Sequence, residues 1–274
     1  MAKKILLVTN GCEESWATIQ HAAEMSALMG VPLTLLGVVE KADDEHPVEE
    51  IFGRAVSLFQ EKNLVYDLQL VNGKTEDILS KITPDKDTYL FVGVLGRSQL
   101  RHWLVGRSFR QILENVEVPI FYARKAPKQI EKILICFGGL DYTKRAEEIG
   151  IEIGKMADAK LSLLHIIPPV EAEQLPKKAL PENEKDLQAT DAQAAQVLQE
   201  AQQHAQAAGV DSQIIIRNGN IVTQILAELE RGKYDLVCLG SPFSDKGWRH
   251  LYLPNIAAEI AESSDAPLMI ARSA

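Results

Sequence analysis

Apolar residues along this chain gather into short unbroken runs, and the stretches between the runs carry apolar positions at helical spacing. The first run, Ile5-Leu6-Leu7-Val8, has no polar interruption, the pattern of a strand covered on both faces in a parallel sheet. Asn10-Gly11 ends it. Glu13, Glu14 and Ser15 then supply helix-start signals, and Ile19, Ala22, Ala23, Ser26 and Met29 recur at helical spacing until Gly30 stops the helix. The same alternation predicts strands at 33–39, 66–71, 90–92 and 119–123, with helices at 49–62, around Ile78 and at 108–116. Strands alternating with helices, joined by crossovers too long for hairpins, specify an open parallel sheet of the doubly wound type.

After a polar stretch at 124–131 the pattern begins again. Ile133-Leu134-Ile135-Cys136 repeats Ile5-Leu6-Leu7-Val8, and the run at 161–167 repeats the run at 33–39 with the same offset. Asn218-Gly219 answers Asn72-Gly73, Gly240 answers Gly93, and Ala266-Pro267-Leu268 answers Val118-Pro119-Ile120. Such self-similarity means duplication of a whole domain, so two α/β domains are expected, at 1–126 and 127–274. The halves differ chiefly in a polar insert at 168–191, expected to be a mobile loop leading into an Ala- and Gln-rich helix that ends near Ala208.

Bulk composition narrows the function classes. With 274 residues, 46% of them hydrophobic, the chain can bury two cores of ordinary size. A formal net charge of −9 argues against a nucleic-acid partner, because phosphate backbones are held by clustered Lys and Arg. The chain opens MAKK and enters a strand at once, with no run long enough for a signal peptide or membrane helix; a cytoplasmic location is expected. Cys12, Cys136 and Cys238 are far apart in sequence and read as reduced core thiols, although Cys12, beside a helix start, sits where a thiol pKa can fall. His21, His46, His165, His204 and His250 show no metal-ligand spacing, and His165 reads as a satisfied core residue.

Candidate chemistry concentrates at 88–108, TYLFVGVLGRSQLRHWLVGRS. An apolar run ends at Val92, and glycines follow at Gly93, Gly96 and Gly106. Glycines directly after a buried strand permit positive φ and leave backbone N–H groups bare for a bulky ligand, most often phosphate. The helix expected after Ser108 would favour an anion near Gly106 to Ser108 through its N-terminal amides. Arg97, Arg101, Arg107 and Arg110 make this stretch locally basic; a phosphate partner explains that, and so does a solvated helix face. No P-loop lysine motif, nucleophile elbow or zinc helix is present, so strong catalysis has no visible apparatus.

These residues carry a resemblance to the universal stress protein family, in its tandem form. In nucleotide-binding members the signature is G-x-x-G, nine residues, then G-S or G-T, and Gly93, Gly96 and Gly106 match its spacing. The resemblance implies two Rossmann-like domains of adenine nucleotide alpha-hydrolase type. It also implies that the first domain holds ATP or AMP, with Mg or Mn accompanying ATP, as a sensor or stabilising ligand. The implied binding residues are Asn10, Gly11, Val38, Gly93, Gly96, Arg97, Gly106, Arg107 and Ser108. Asn10 stands where the family usually has aspartate, and Arg107 where it has a hydroxyl residue, so Arg107 either contacts phosphate or fills its space.

The second copy departs further. Gly240-Ser241-Pro242-Phe243 keeps only the first glycine, Leu253-Pro254-Asn255 replaces the third glycine and hydroxyl, and Gly138 replaces the first-strand acid. That half is therefore expected not to bind ATP in the family manner. Family members pair through their last strands, so pairing of 119–123 with 267–271 inside the chain is implied, with homodimerisation left open. Two further readings remain open, a nucleotide-independent adaptor or lipid-binding scaffold and a slow ATP hydrolase.

Overall fold

The computed structural model describes residues 4–39, 48–82, 85–94, 109–110, 112–138, 143–168, 191–241 and 256–272. The chain divides into two compact units, Met1–Pro127 and Lys128–Ala274.

Unit one begins with β1 (Lys4–Thr9), a short 3-10 turn (Glu13–Ser15) and α1 (Trp16–Met29). β2 (Leu33–Val39), α2 (Val48–Glu61), β3 (Tyr66–Asn72), α3 (Thr75–Lys81), β4 (Thr88–Val92) and β5 (Ile120–Tyr122) follow, with residues 109–110 and 112–115 helical before β5. The strands lie in the order β3-β2-β1-β4-β5 and every described pairing is parallel. β4 is buried at every position, as its unbroken apolar run requires for a strand covered on both faces. α1 ends at Gly30, whose φ of 64° is the left-handed conformation open to glycine at low cost.

Unit two repeats this order. β6 (Lys132–Phe137), α4 (Lys144–Ala157), β7 (Lys160–Ile167), α5 (Ala192–Ala207), β8 (Ser212–Asn218), α6 (Ile221–Gly232), β9 (Leu236–Ser241), α7 (Ile256–Ser263) and β10 (Leu268–Arg272) make a parallel sheet ordered β8-β7-β6-β9-β10. Registers coincide as well: Ile5 pairs with Leu33 and Tyr89, and Ile133 pairs with the corresponding Leu161 and Leu236. Asp191 and Asn220 cap α5 and α6 by accepting the backbone N–H of Ala194 and Thr223.

The copies solve one packing problem in opposite ways. Gly37 on β2 lies against Val48 and Phe52 of α2, where an added Cβ would come within 2.6 Å of Val48 and 2.7 Å of Phe52. The corresponding residue on β7 is His165, and the α5 residues at the same distance before the next strand are Ala194 and Leu198. The second copy thus has a larger residue at the strand position and smaller ones at the two helix positions, the kind of compensating exchange a close-packed interior tolerates.

Candidate functional site

In each unit the chain winds outward from the central strand in one direction and then the other. In unit one the reversal falls between β1 and β4, where open α/β sheets place their ligands at the carboxyl ends of the strands. Asn10 and Gly11 follow β1, Gly93 follows β4, and Val38 is the penultimate residue of β2, so these four candidates stand at one end of one sheet. Gly96, Arg97, Gly106, Arg107 and Ser108 lie outside the described residues.

The β1–α1 loop satisfies its own polar groups. The Gly11 N–H donates to Thr9 Oγ1 at 3.1 Å, the Ser15 hydroxyl donates to the Cys12 carbonyl at 2.7 Å, and Thr9 Oγ1 lies 2.7 Å from Ser15 Oγ. Because the Ser15 proton is committed to Cys12, Thr9 is the donor in the Thr9–Ser15 pair. Asn10 is 1% exposed, and its Oδ1 accepts the Cys12 N–H at 3.4 Å. Its side chain is therefore turned into the loop, and Gly11 adopts φ 86° to make the turn. Val38 is fully buried, backbone included. Beside the loop, Arg54 of α2 pairs with Glu13 and stacks 4.2 Å over the Trp16 ring, pulling Glu13 below the usual carboxylate range.

Gly93 has a reason to be glycine that needs no ligand. Its φ is outside the left-handed region, contrary to the positive φ expected from its place after a strand. What the position requires is clearance: a Cβ there would meet Thr18 Oγ1 at 2.8 Å and Ser15 Cα at 3.1 Å. Thr18 is itself fixed, since its hydroxyl donates to the Ala123 carbonyl at 2.8 Å. The start of α1 thus sits directly on the end of β4. Cys12 tightens the same junction, its Sγ donating to the Val94 carbonyl at 3.0 Å across the point where strand order reverses. The thiol is fully buried, which removes the accessibility a redox sensor needs.

The reading along the sequence missed three buried groups. His21, on the sheet side of α1, is fully buried against the stacked rings of Phe91 and Phe121, neither ring nitrogen has a hydrogen-bond partner, and burial pushes its pKa down to about 4. Glu228 of α6 is 3% exposed and accepts from Arg217 at 2.7 Å, Arg231 at 3.1 Å and the Tyr234 hydroxyl at 3.1 Å. Glu147 of α4, also buried, holds His204 Nδ1 of α5 at 2.8 Å. A signal existed for Glu228, because Arg231 is one helical turn away, but its depth was not legible. Burial, with the Glu228 carboxylate adding to it, pushes the Cys136 thiol up to about 12. His165 Nδ1 lies 3.1 Å from the Phe137 carbonyl while Nε2 has no partner, so this core residue is only half satisfied.

In unit two the strand equivalent to β4 does not stop where β4 stops. β9 runs through Gly240 to Ser241, held by pairing with Ala271 and Arg272 of β10. Residues 242–255 lie outside the described residues. A model of the universal stress protein family matches residues 129–272, just over half of the chain. The chain belongs to that family. It is 23% identical over 122 residues to a universal stress protein from Synechocystis sp., an alignment covering 44% of this chain and 42% of that protein; the chain thus spans under half of the relative's length. Among solved structures it is similar to a universal stress protein from Archaeoglobus fulgidus, with TM-score 0.71 at 15% identity, covering 98% of this chain and 96% of the other. A functionally unknown protein from Pseudomonas aeruginosa PAO1 gives TM-score 0.68 at 11% identity, covering 98% and 92%. These two likenesses are of fold. The family model falls on the second half of the chain.

Among the described residues no three His, Cys, Asp or Glu side chains converge as a metal site, and no helix is long and apolar enough to cross a membrane.

Proposed function

We propose that this universal stress protein binds an adenine nucleotide, ATP or AMP, in unit one as a sensor or stabilising ligand, in the cytoplasm. The observation that carries the reading is the convergence of Asn10, Gly11, Val38 and Gly93 at the carboxyl ends of β1, β2 and β4, beside the reversal of strand order. The Val38 backbone would read the base. The phosphates would fall to Gly96, Arg97, Gly106, Arg107 and Ser108, with Mg or Mn accompanying ATP. The fit of the described residues to such a ligand is partial, because the Gly11 N–H and Asn10 Oδ1 are already engaged within their own loop. Affinity is therefore expected to come mainly from the segment after β4. Unit two would serve a structural or regulatory role, the last strands of the two units would pair within the chain, and a homodimer would add to that. Any hydrolysis would be slow, since phosphoryl transfer needs a positioned nucleophile and charge-stabilising groups, and the sequence offers Arg97 and Arg107 as candidates for the latter alone.

A second reading, a nucleotide-independent adaptor or small-molecule scaffold, draws on Gly93 and Cys12. Steric clearance for Thr18 accounts for Gly93, and the Cys12 to Val94 contact spans the junction where a nucleotide would enter. Mass spectrometry of small molecules released from the purified chain, with ATP titration calorimetry, separates the two. A co-purifying adenine nucleotide or heat of binding supports the first reading; neither, at millimolar ATP, leaves the scaffold.

A further inference from the structure

β3 is the outer strand of unit one, pairing only with β2 among the described residues. Among the described residues it carries most of the exposed large apolar side chains: Leu68 is 40% exposed, Leu70 54%, and Val65 just before the strand 74%. An outer strand is normally protected by charge, proline or a bulge. β3 is seven residues long with no proline, and its one charge, Asp67, is on the opposite face from Leu68 and Leu70. The corresponding strand β8 is better covered, with Ile216 at 5% exposure and Arg217 tied to Glu228 of the longer helix α6.

Backbone direction along β3 follows from two hydrogen bonds. The Leu33 N–H donates to the Val65 carbonyl at 2.9 Å, and the Gly73 N–H donates to the Val39 carbonyl at 3.1 Å. Backbone groups alternate sides along a parallel strand, so the odd-numbered residues Val65, Asp67, Gln69, Val71 and Gly73 address β2. The even-numbered residues Tyr66, Leu68, Leu70 and Asn72 direct their N–H and C=O groups away from the sheet.

We propose that this edge joins two copies of the chain by antiparallel pairing of their β3 strands, with Gln69 on the two-fold axis. In that register Leu68 lies opposite Leu70 of the second copy and Tyr66 opposite Asn72, so every outward N–H meets an outward C=O. Leucines from both copies form one apolar patch on the α2 face, the face on which Leu70 already approaches Gly37. Asp67 faces Val71 rather than another carboxylate, avoiding the opposition of like charges that a register centred on Asp67 would create. The same patch serves both copies, so the contact closes at a dimer. This edge is separate from the last strands of the two units, and it does not depend on nucleotide.

Sedimentation velocity of the full chain from micromolar to submillimolar concentration should show a monomer–dimer equilibrium with nothing larger. Leu70→Lys, at an exposed position, should leave the circular dichroism unchanged and remove the dimer across that range. Independently, Gln69→Cys should form an intermolecular disulfide under copper–phenanthroline oxidation, because a residue opposite itself in a non-hydrogen-bonded pair has Cα atoms about 4.5 Å apart. Leu68→Cys, which meets Leu70 instead, should cross-link at least tenfold less. A strict monomer, a dimer untouched by Leu70→Lys, open-ended growth with concentration, or equal cross-linking of the two cysteine variants would each overturn the proposal.

Discussion

Gly93→Ala places a methyl group where the start of α1 meets the end of β4. The added carbon would sit 2.8 Å from Thr18 Oγ1, 3.2 Å from Thr18 Cβ and 3.1 Å from Ser15 Cα. Thr18 cannot simply rotate away, because its hydroxyl holds the buried Ala123 carbonyl at 2.8 Å. Either the helix start moves, at the about 1–3 kcal/mol of an overpacked core, or the hydrogen bond breaks and leaves a buried carbonyl unsatisfied, at a similar cost. A loss of about 2 kcal/mol is expected in unit one. With a urea slope of about 2 kcal/mol per molar, the midpoint of that unit's transition should fall by about 1 M with the slope unchanged. Urea denaturation without nucleotide, followed by Trp fluorescence, reads this directly. Thr18→Ala removes the closest clashing atom, so the double variant should be less destabilised than the sum of the singles by about 1 kcal/mol. If Gly93→Ala leaves the ligand-free midpoint unchanged, clearance for Thr18 is not why this residue is glycine.

His21 should make unit one sensitive to acid. Its folded pKa of about 4 lies below the unfolded value near 6.5, so the unfolded chain takes up the proton first, and stability present above pH 6.5 is lost as pH falls towards 4, up to about 3 kcal/mol. His21→Leu should flatten that part of the pH–stability curve measured in urea. Glu228→Ala removes the acceptor for the Tyr234 hydroxyl as well as two partly exposed arginine contacts, so about 2 kcal/mol should be lost from unit two and appear as faster amide exchange in α6 and β8, with Glu228→Gln milder. Gly37→His should cost about 3 kcal/mol by overpacking against Val48 and Phe52. Adding Val48→Ala and Phe52→Leu, the residues of the other copy, should restore most of it in thermal melts.

The architecture was legible because a strand buried on both faces must be apolar throughout, and each such run appears in the sequence as an unbroken block. β2 spans the predicted Leu33–Val39, and the corresponding pairs Ile5–Leu33 and Ile133–Leu161 carry the duplication into the register. Gly93 was legible as a glycine that matters, but not why, since Thr18 and Ser15 come near it only when α1 folds back onto β4. The burial of His21 was not legible because helical periodicity counts apolar residues, and a neutral imidazole packed on aromatic rings behaves as one. Glu228 escaped for a related reason: Arg217, Arg231 and Tyr234 surround it only once β8 and α6 are folded together. The direction of the Asn10 side chain was not legible in the sequence, because its Oδ1 meets the Cys12 N–H only once the loop is folded.

The proposed nucleotide site in unit one is tested most directly by ATP titration calorimetry on the wild-type chain beside Gly106→Val and Gly240→Val. Binding by the wild type and by Gly240→Val, with none by Gly106→Val, is the expected result. No heat from the wild type at millimolar ATP, or equal losses in the two variants, would contradict it.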